Sequence, residues 1–264
     1  MSDTPIAFDT VRQASDIPPV VRTMHGTDLP LDAGVIHPTA VWQAPDDRYV
    51  TLRLNAETPP SRHDRFALNL SRARADALIT TGKILREEPG LHTDLIGSGP
   101  ERDALLAWRR EILGRTEPPI VLVLTSGKGL DLGHPVFHGW AEPVVFTNHD
   151  AAEALIPEAL ERSVEVVSHA APSVHEAVVY LHDALECRTV SIEAGPGTSL
   201  SLYHPSLEVD ELLLSVYRGS TLADSVHGPA FLSAAEIRSA FSHASAPYLV
   251  EEPSGPWCFQ RLTR

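Results

Sequence analysis

The sequence predicts an α/β domain on a mostly parallel central sheet, with helices on both faces and antiparallel strands at the carboxyl-terminal edge. Three observations carry that expectation. From Tyr49 onward, short β-branched or Leu-rich runs alternate with longer stretches of helical period. Several of these runs are almost continuously apolar, as strands covered on both sides must be when neither face meets water. After residue 218 the elements shorten, the usual habit of antiparallel edge strands. With 264 residues, 43% of them hydrophobic, the chain is long enough for one large domain or two small ones.

Residues 1–47 stand apart. Pro5, Pro18, Pro19, Pro30, Pro38 and Pro45 punctuate them, and their apolar periodicity is too weak for a helix of normal length. They read as a proline-rich arm or lid, leaving 48–264 as the α/β domain. Strands are expected at 49–54, 77–81, 119–125, 143–147, 164–168, 189–193 and 210–217. Helical spacing links Phe66, Leu70, Ala73 and Ala77, and again Leu105, Trp108 and Ile112. Val174, Ala177, Val178, Leu181 and Leu185 form an apolar stripe behind a Ser173 cap. A helix at 198–203, another at 233–240 and a closing strand near 257–262 complete the tail.

Composition excludes several function classes. A formal charge of −14, from 35 acidic and 21 basic residues, opposes phosphate-backbone binding, so nucleic acid is not an expected partner. Cys187 and Cys258 make neither a disulfide framework nor a CxxC pair, which fits a reducing cytoplasm. The amino terminus has no basic start followed by an apolar stretch, and nowhere do about 18 apolar residues run together, so neither export nor membrane spanning is expected. The thirteen histidines show no HExxH or HxH spacing, and Pro135 interrupts the i, i+4 pair His134 and His138; no metal site is expected. No GxSxG elbow supports nucleophilic catalysis.

Ligands of open α/β sheets bind beyond the carboxyl ends of the strands. Three glycine-bearing turns follow the apolar runs: Thr80–Lys83, Thr125–Gly129 and Glu193–Ser199. Small residues and hydroxyls there let backbone N–H groups approach phosphate oxygens. Lys83 and Lys128, the two lysines of the chain, both sit in these turns. Glu193 and Glu57, at or just after strand ends, are the candidates for proton donors or polarising groups. Arg86 has the fork to pair with a substrate phosphate.

Three stretches resemble the reductase domain at the carboxyl end of riboflavin-biosynthesis deaminase-reductases (the RibD C-terminal domain), and more broadly the dihydrofolate reductase-like fold. Arg72–Gly82 followed by Arg86–Leu91 is similar to that family's arginine-rich helix, ADA strand, glycine turn and acidic-acidic-proline segment. Ile192–Pro196 resembles its Glu-Gly-Gly-Pro turn, and Val209–Leu212 its VDEL strand start. The resemblance spans about residues 48 to 262. It implies an NADPH-dependent reductase, usually a homodimer, acting on a small pyrimidine or pterin. By the same resemblance Thr81, Gly82 and Lys83 flank the cofactor, Thr125 and Ser126 hold its 2′-phosphate side, and Gly195, Pro196, Gly197 and Thr198 hold its pyrophosphate. Asn55, Arg86 and Glu88 are the substrate-side candidates. The chain departs from the family where Leu54–Pro60 replaces a Ser-x-Asp-Gly-Lys segment, where Ala194 replaces a glycine, and where Lys83 stands in a place often held by Thr. These departures leave a second reading open, a catalytically silent relative that binds a nucleotide or a partner chain.

Overall fold

The computed structural model describes residues 6–44, 46 and 48–264. Two short 3-10 turns, Phe8–Thr10 and Ala14–Asp16, lead into α1 (Ile17–His25), β1 (Gly34–Gln43) and β2 (Tyr49–Leu52). Then come α2 (Arg62–Arg74), β3 (Ala77–Thr81), α3 (Gly82–Glu87), α4 (Pro100–Glu111), β4 (Ile120–Leu124) and β5 (Glu142–Thr147). The chain continues through α5 (His149–Glu161), β6 (Glu165–Ser168), α6 (Val174–Asp183), β7 (Thr189–Ile192), α7 (Pro196–Ser199) and β8 (Glu211–Tyr217). It ends with β9 (His227–Ala230), α8 (Ala234–Ala240), β10 (His243–Ala244), β11 (Tyr248–Glu252) and β12 (Gly255–Thr263).

The sheet runs in the order β10-β12-β8-β1-β7-β3-β4-β5-β6. From β8 to β6 the strands are parallel, whereas β12 joins β8 antiparallel and carries β10 and β11 antiparallel in turn. The expected parallel sheet with antiparallel carboxyl-terminal edge strands is therefore present. Every residue of β3, β7 and β8 is buried, the reason their sequences are mostly apolar or small, with Glu211 at the start of β8 the charged exception. One face packs Val35, Ile79, Leu122, Phe146, Val190 and Leu214 beneath α6 and α8. The other packs Phe66, Leu70, Leu105, Trp108, Trp257 and Phe259 with the amino-terminal segment, and farther along Val121, Val123 and Val145 with Leu85 and Phe137. Each such fully buried Leu, Ile or Phe contributes about 1.5–3 kcal/mol relative to exposure.

Local chemistry explains the helix boundaries. Ser61, Ser173 and Ser233 each accept a hydrogen bond from the backbone N–H three residues on, and Glu236 closes a capping box back onto Ser233. The stripe from Val174 to Leu181 is buried as its spacing demands, although Leu185 lies beyond the end of α6. Ala77 belongs to β3 rather than to the helix of Phe66 and Leu70, and Ile112, at the end of α4, is half exposed.

One expectation is overturned. Within residues 1–47, read as an arm or lid, β1 is an interior strand of the parallel set, pairing with β8 from Ile36 to Trp42 and with β7 from Gly34 to Ile36. Phe8, Val11, Ile17, Val21 and Met24 are core residues, packed in one cluster with Phe66 and Trp108. The misreading has a physical source: Pro38 removes a ladder donor and His37 and Thr39 break the apolar run, so β1 lacks the signature of a buried strand. Pro5 and Pro45 lie outside the described residues. The strand at 49–54 shrinks to β2, which pairs antiparallel with β1 and β9 and is no member of the parallel set. The segment Leu54–Pro60 accordingly follows a flanking strand. Its comparison with the Ser-x-Asp-Gly-Lys segment, made for a chain leaving the first parallel strand, is misplaced.

Among the described residues no helix is long and apolar enough to cross a membrane.

Candidate functional site

The three glycine turns leave the same edge of the sheet, because β7, β3 and β4 are consecutive parallel neighbours. Their contacts are direct. The Glu193 N–H donates to the Ile79 carbonyl at 2.8 Å, carrying the β7 turn alongside the end of β3. A Cβ on Gly82 would stand 2.6 Å from Thr125 Oγ1, so the β3 and β4 turns meet where only glycine fits. Arg86 donates from its guanidinium to the Lys128 carbonyl at 2.9 Å, fastening α3 to the β4 turn. Thr125 Oγ1 accepts from the Gly127 N–H at 3.0 Å, and its own N–H reaches the Phe146 carbonyl of β5.

The individual residues divide into two groups. Thr81 is buried and caps α3 by accepting from the Ile84 N–H, while Thr125 is buried in its turn. Ser126 is exposed, and so is Lys83, whose ammonium lies 3.8 Å from Glu87. Gly195 and Gly197 face open space, with nothing within 4 Å of a Cβ built on either, so their backbone is free to approach a ligand. Pro196 is buried between them, and the Thr198 N–H donates to the Gly195 carbonyl at 2.9 Å. Ala194 contributes its side chain to the apolar core, so its methyl is aimed away from the edge.

The charged candidates are held in ties. Both Glu193 oxygens accept from Arg72, at 2.9 Å from Nε and 2.6 Å from Nη2. Burial raises the pKa of Glu88, with Glu87 and Glu193 adding to the rise and Arg72 opposing it. Arg86 is exposed and engaged with Lys128. Asn55 and Glu57 lie elsewhere, in the loop after β2: Asn55 donates to the Ser225 carbonyl at 2.9 Å, and the Glu57 carboxylate accepts from the Ser225 hydroxyl. Among the described residues no hydrogen bond or ion pair joins that loop to the three glycine turns. Local spacing gives no hint of Arg72 at this edge, since 121 positions separate it from Glu193.

Cavities of about 310 and 400 Å³ lie away from the turns. The first is lined by Arg218, Leu249 and Trp257, the second by Gly34, Asp210 and Arg261 at the opposite end of β1 and β8.

The other residues that carry the resemblance also serve the architecture. Arg74, wholly buried, donates to Glu211 at 2.5 and 3.2 Å, and Arg261 joins that carboxylate at 2.9 Å. Burial opposes ionisation of Glu211, but the two arginines hold its pKa below the ordinary value. Asp76 accepts from the Arg188 and Thr189 N–H groups, both at 2.9 Å, and from Arg115. Asp210 accepts from the Val35 N–H at 2.8 Å.

No family model and no curated protein matches this chain. Solved structures do. A pyrimidine reductase-like protein from Corynebacterium diphtheriae aligns at 20% identity with a TM-score of 0.61, over 92% of this chain and 97% of that one. RibD from Acinetobacter baumannii aligns at 14% identity and a TM-score of 0.57, over 89% of this chain but 59% of its own length. A riboflavin biosynthesis reductase from Saccharomyces cerevisiae aligns at 14% and 0.53, over 94% of this chain and 100% of that one. With its parallel set β8-β1-β7-β3-β4-β5-β6 and its antiparallel carboxyl-terminal strands, the chain therefore has the dihydrofolate reductase-like fold of these reductase structures.

Proposed function

We propose that the chain is an NADPH-dependent reductase of a small heterocyclic substrate, of pyrimidine or pterin type. The observation that supports this most directly is the meeting of three backbone turns along one sheet edge, with Gly195 and Gly197 open to an approaching anion. The fit of a dinucleotide is good at the β7 turn, where nothing occupies the space a Cβ would fill, and where the Ala194 methyl is turned inward. On this reading Gly195, Pro196, Gly197 and Thr198 hold the pyrophosphate, Thr81, Gly82 and Lys83 flank the cofactor, and Thr125 and Ser126 take the 2′-phosphate side. Bound there, the nicotinamide supplies the hydride. The protein's part is orientation: Gly82 lets the β3 and β4 turns close together, and Arg86 keeps the second turn in place. Glu88, held toward its protonated form by burial, is the carboxyl group we assign to the substrate side along with Arg86. A homodimer and a cytoplasmic location belong to the same proposal.

The competing reading, a silent nucleotide- or partner-binding relative, draws support from the carboxylates of Glu193 and Glu57, both engaged in ties within the protein. Titration with NADPH and NADH, followed by quenching of tryptophan fluorescence, tests the reductase reading. Gly195→Ala sharpens the test, because its φ of −63° and empty surroundings leave the fold undisturbed. NADPH should bind the unaltered chain and bind Gly195→Ala about ten-fold more weakly, with stability changed by less than about 0.5 kcal/mol. No binding of either nucleotide at millimolar concentration would refute it. Turnover with pyrimidine or pterin substrates separates the reductase from the silent relative.

A further inference from the structure

We propose that Arg72 is a positioning residue that sets the β7 turn and the segment 92–96 at a fixed separation, so that the edge proposed above for the cofactor keeps its shape. The inference deepens the reductase reading and rests on it for the cofactor, although the mechanical part stands alone.

Arg72 is 1% exposed and uses its guanidinium as a three-way connector. Nε and Nη2 grip both Glu193 oxygens, at 2.9 and 2.6 Å, in a bidentate fork. Nη1 donates to the His92 carbonyl at 3.2 Å and to the Asp94 carbonyl at 2.7 Å. One side chain on α2 thus holds two segments that no strand ladder connects. Glu193 is two residues from Gly195, and its N–H is bonded to Ile79, so a shift of its carboxylate is carried into the glycine turn.

A second residue on the same helix face gives the control. Asn69, three positions before Arg72, pairs with both backbone groups of Ile96: its Nδ2 donates to the carbonyl at 2.9 Å and its Oδ1 accepts from the N–H at 2.7 Å. Asn69 therefore holds segment 92–96 but not the β7 turn, whereas Arg72 holds both. Lysine cannot replace the connector, since a single ammonium lacks the planar fork needed to span a carboxylate and two carbonyls.

Hydrogen exchange read by mass spectrometry, together with NADPH affinity, tests this in the full chain. Arg72→Lys should raise exchange by about ten-fold at both 92–96 and 194–199 while the distant β5 and α5 keep their protection. Asn69→Ala should raise it at 92–96 alone, and Glu193→Gln, which keeps one acceptor oxygen, chiefly at 194–199. NADPH should bind Arg72→Lys about ten-fold more weakly and Asn69→Ala nearly as the unaltered chain does. Exchange that rises uniformly over the molecule, or a β7 turn unmoved in Arg72→Lys, would overturn the proposal and leave an ordinary stabilising ion pair. If the unaltered chain binds no nicotinamide nucleotide, the reductase reading fails, while the exchange pattern still decides the positioning role. Should Arg72→Lys not fold, Glu193→Gln carries the test, and unchanged exchange at 194–199 in that variant counts against it.

Discussion

Acidification from about pH 7 to about pH 5 should destabilise the fold chiefly through two buried histidines. His37 is 3% exposed in β1, with Nδ1 2.7 Å from the Tyr203 hydroxyl, and burial lowers its pKa to about 4. His25 is 1% exposed, and among the described residues neither ring nitrogen has a hydrogen-bond partner. Burial lowers it to about 4 as well, with Arg74 and Arg261 assisting and Glu211 opposing. Unfolded, both titrate near the ordinary value of about 6.5, so the unfolded chain takes up protons that the folded chain refuses. Their stabilising contribution is complete above about pH 6.5 and is lost as the pH falls toward about 4. At about pH 5 each has cost about 2 kcal/mol. Asp64 works in the opposite sense: burial raises its pKa to about 6, with Glu252 adding and a hydrogen bond from Ser215 opposing, so the folded state takes up its proton first. That returns about 1 kcal/mol over the same interval. The carboxylates held low, Asp76, Glu211 and Glu252, lose their contribution only further into acid. The expected net loss is therefore about 2–3 kcal/mol. Urea unfolding at the two pH values measures it. His25→Leu, which deletes no hydrogen bond, should shrink the loss by about 2 kcal/mol, and His37→Phe combined with Tyr203→Phe should do the same. Variants that keep the full pH dependence of the unaltered chain would refute the assignment to these side chains.

Gly82→Ala should lower stability by about 1–3 kcal/mol in a thermal melt, because its methyl meets the buried Thr125 hydroxyl that holds the Gly127 N–H. An unchanged melting temperature would show that the two turns are not pressed together. Arg74→Ala leaves the buried Glu211 paired, among the described residues, with Arg261 alone and should cost about 3–5 kcal/mol by denaturant titration. Adding Glu211→Gln to that variant should recover part of the loss.

The parallel strands β3, β4, β7 and β8 are legible in the sequence because burial on both faces demands near-continuous apolar runs. β1 is buried at Val35–His37 and Val41–Trp42 but only part-buried at Pro38–Ala40, so its apolar run is broken and it escapes a reading based on periodicity. Of the amino-terminal core residues, Phe8 and Ala14 sit in turns of three residues, too short to show a period, whereas Ile17, Val20, Val21 and Met24 do keep helical spacing on α1, a signal masked by Pro18 and Pro19. β9, with Gly228 and Pro229, lacks strand chemistry and depends on its pairing with β2. For the site, glycine turns after strands are visible locally, and topology brings them to one edge. Asn55 and Glu57 also follow a strand end, but β2 lies outside the parallel set, so they sit away from the three glycine turns. The recognisable residues Arg72, Arg74, Asp76, Asp210 and Glu211 all turn out to be cross-ties between distant segments. Their type and order mark the architecture because the fold depends on these ties.

The placement of β1 also dictates an order of assembly. On the ribosome this strand emerges well ahead of its parallel partners, residues 189–192 and 211–217. Until then β2 can cover only Val41–Gln43, and the edge that will meet β8 and the Gly34–Ile36 stretch that will meet β7 keep unpaired N–H and carbonyl groups. Closing a sheet around its earliest strand is slow, because so much intervening chain must first be brought into line. A nascent chain that stalls before β8 therefore presents a sticky template, one that a chaperone or a second nascent copy would reach before the proper neighbour exists.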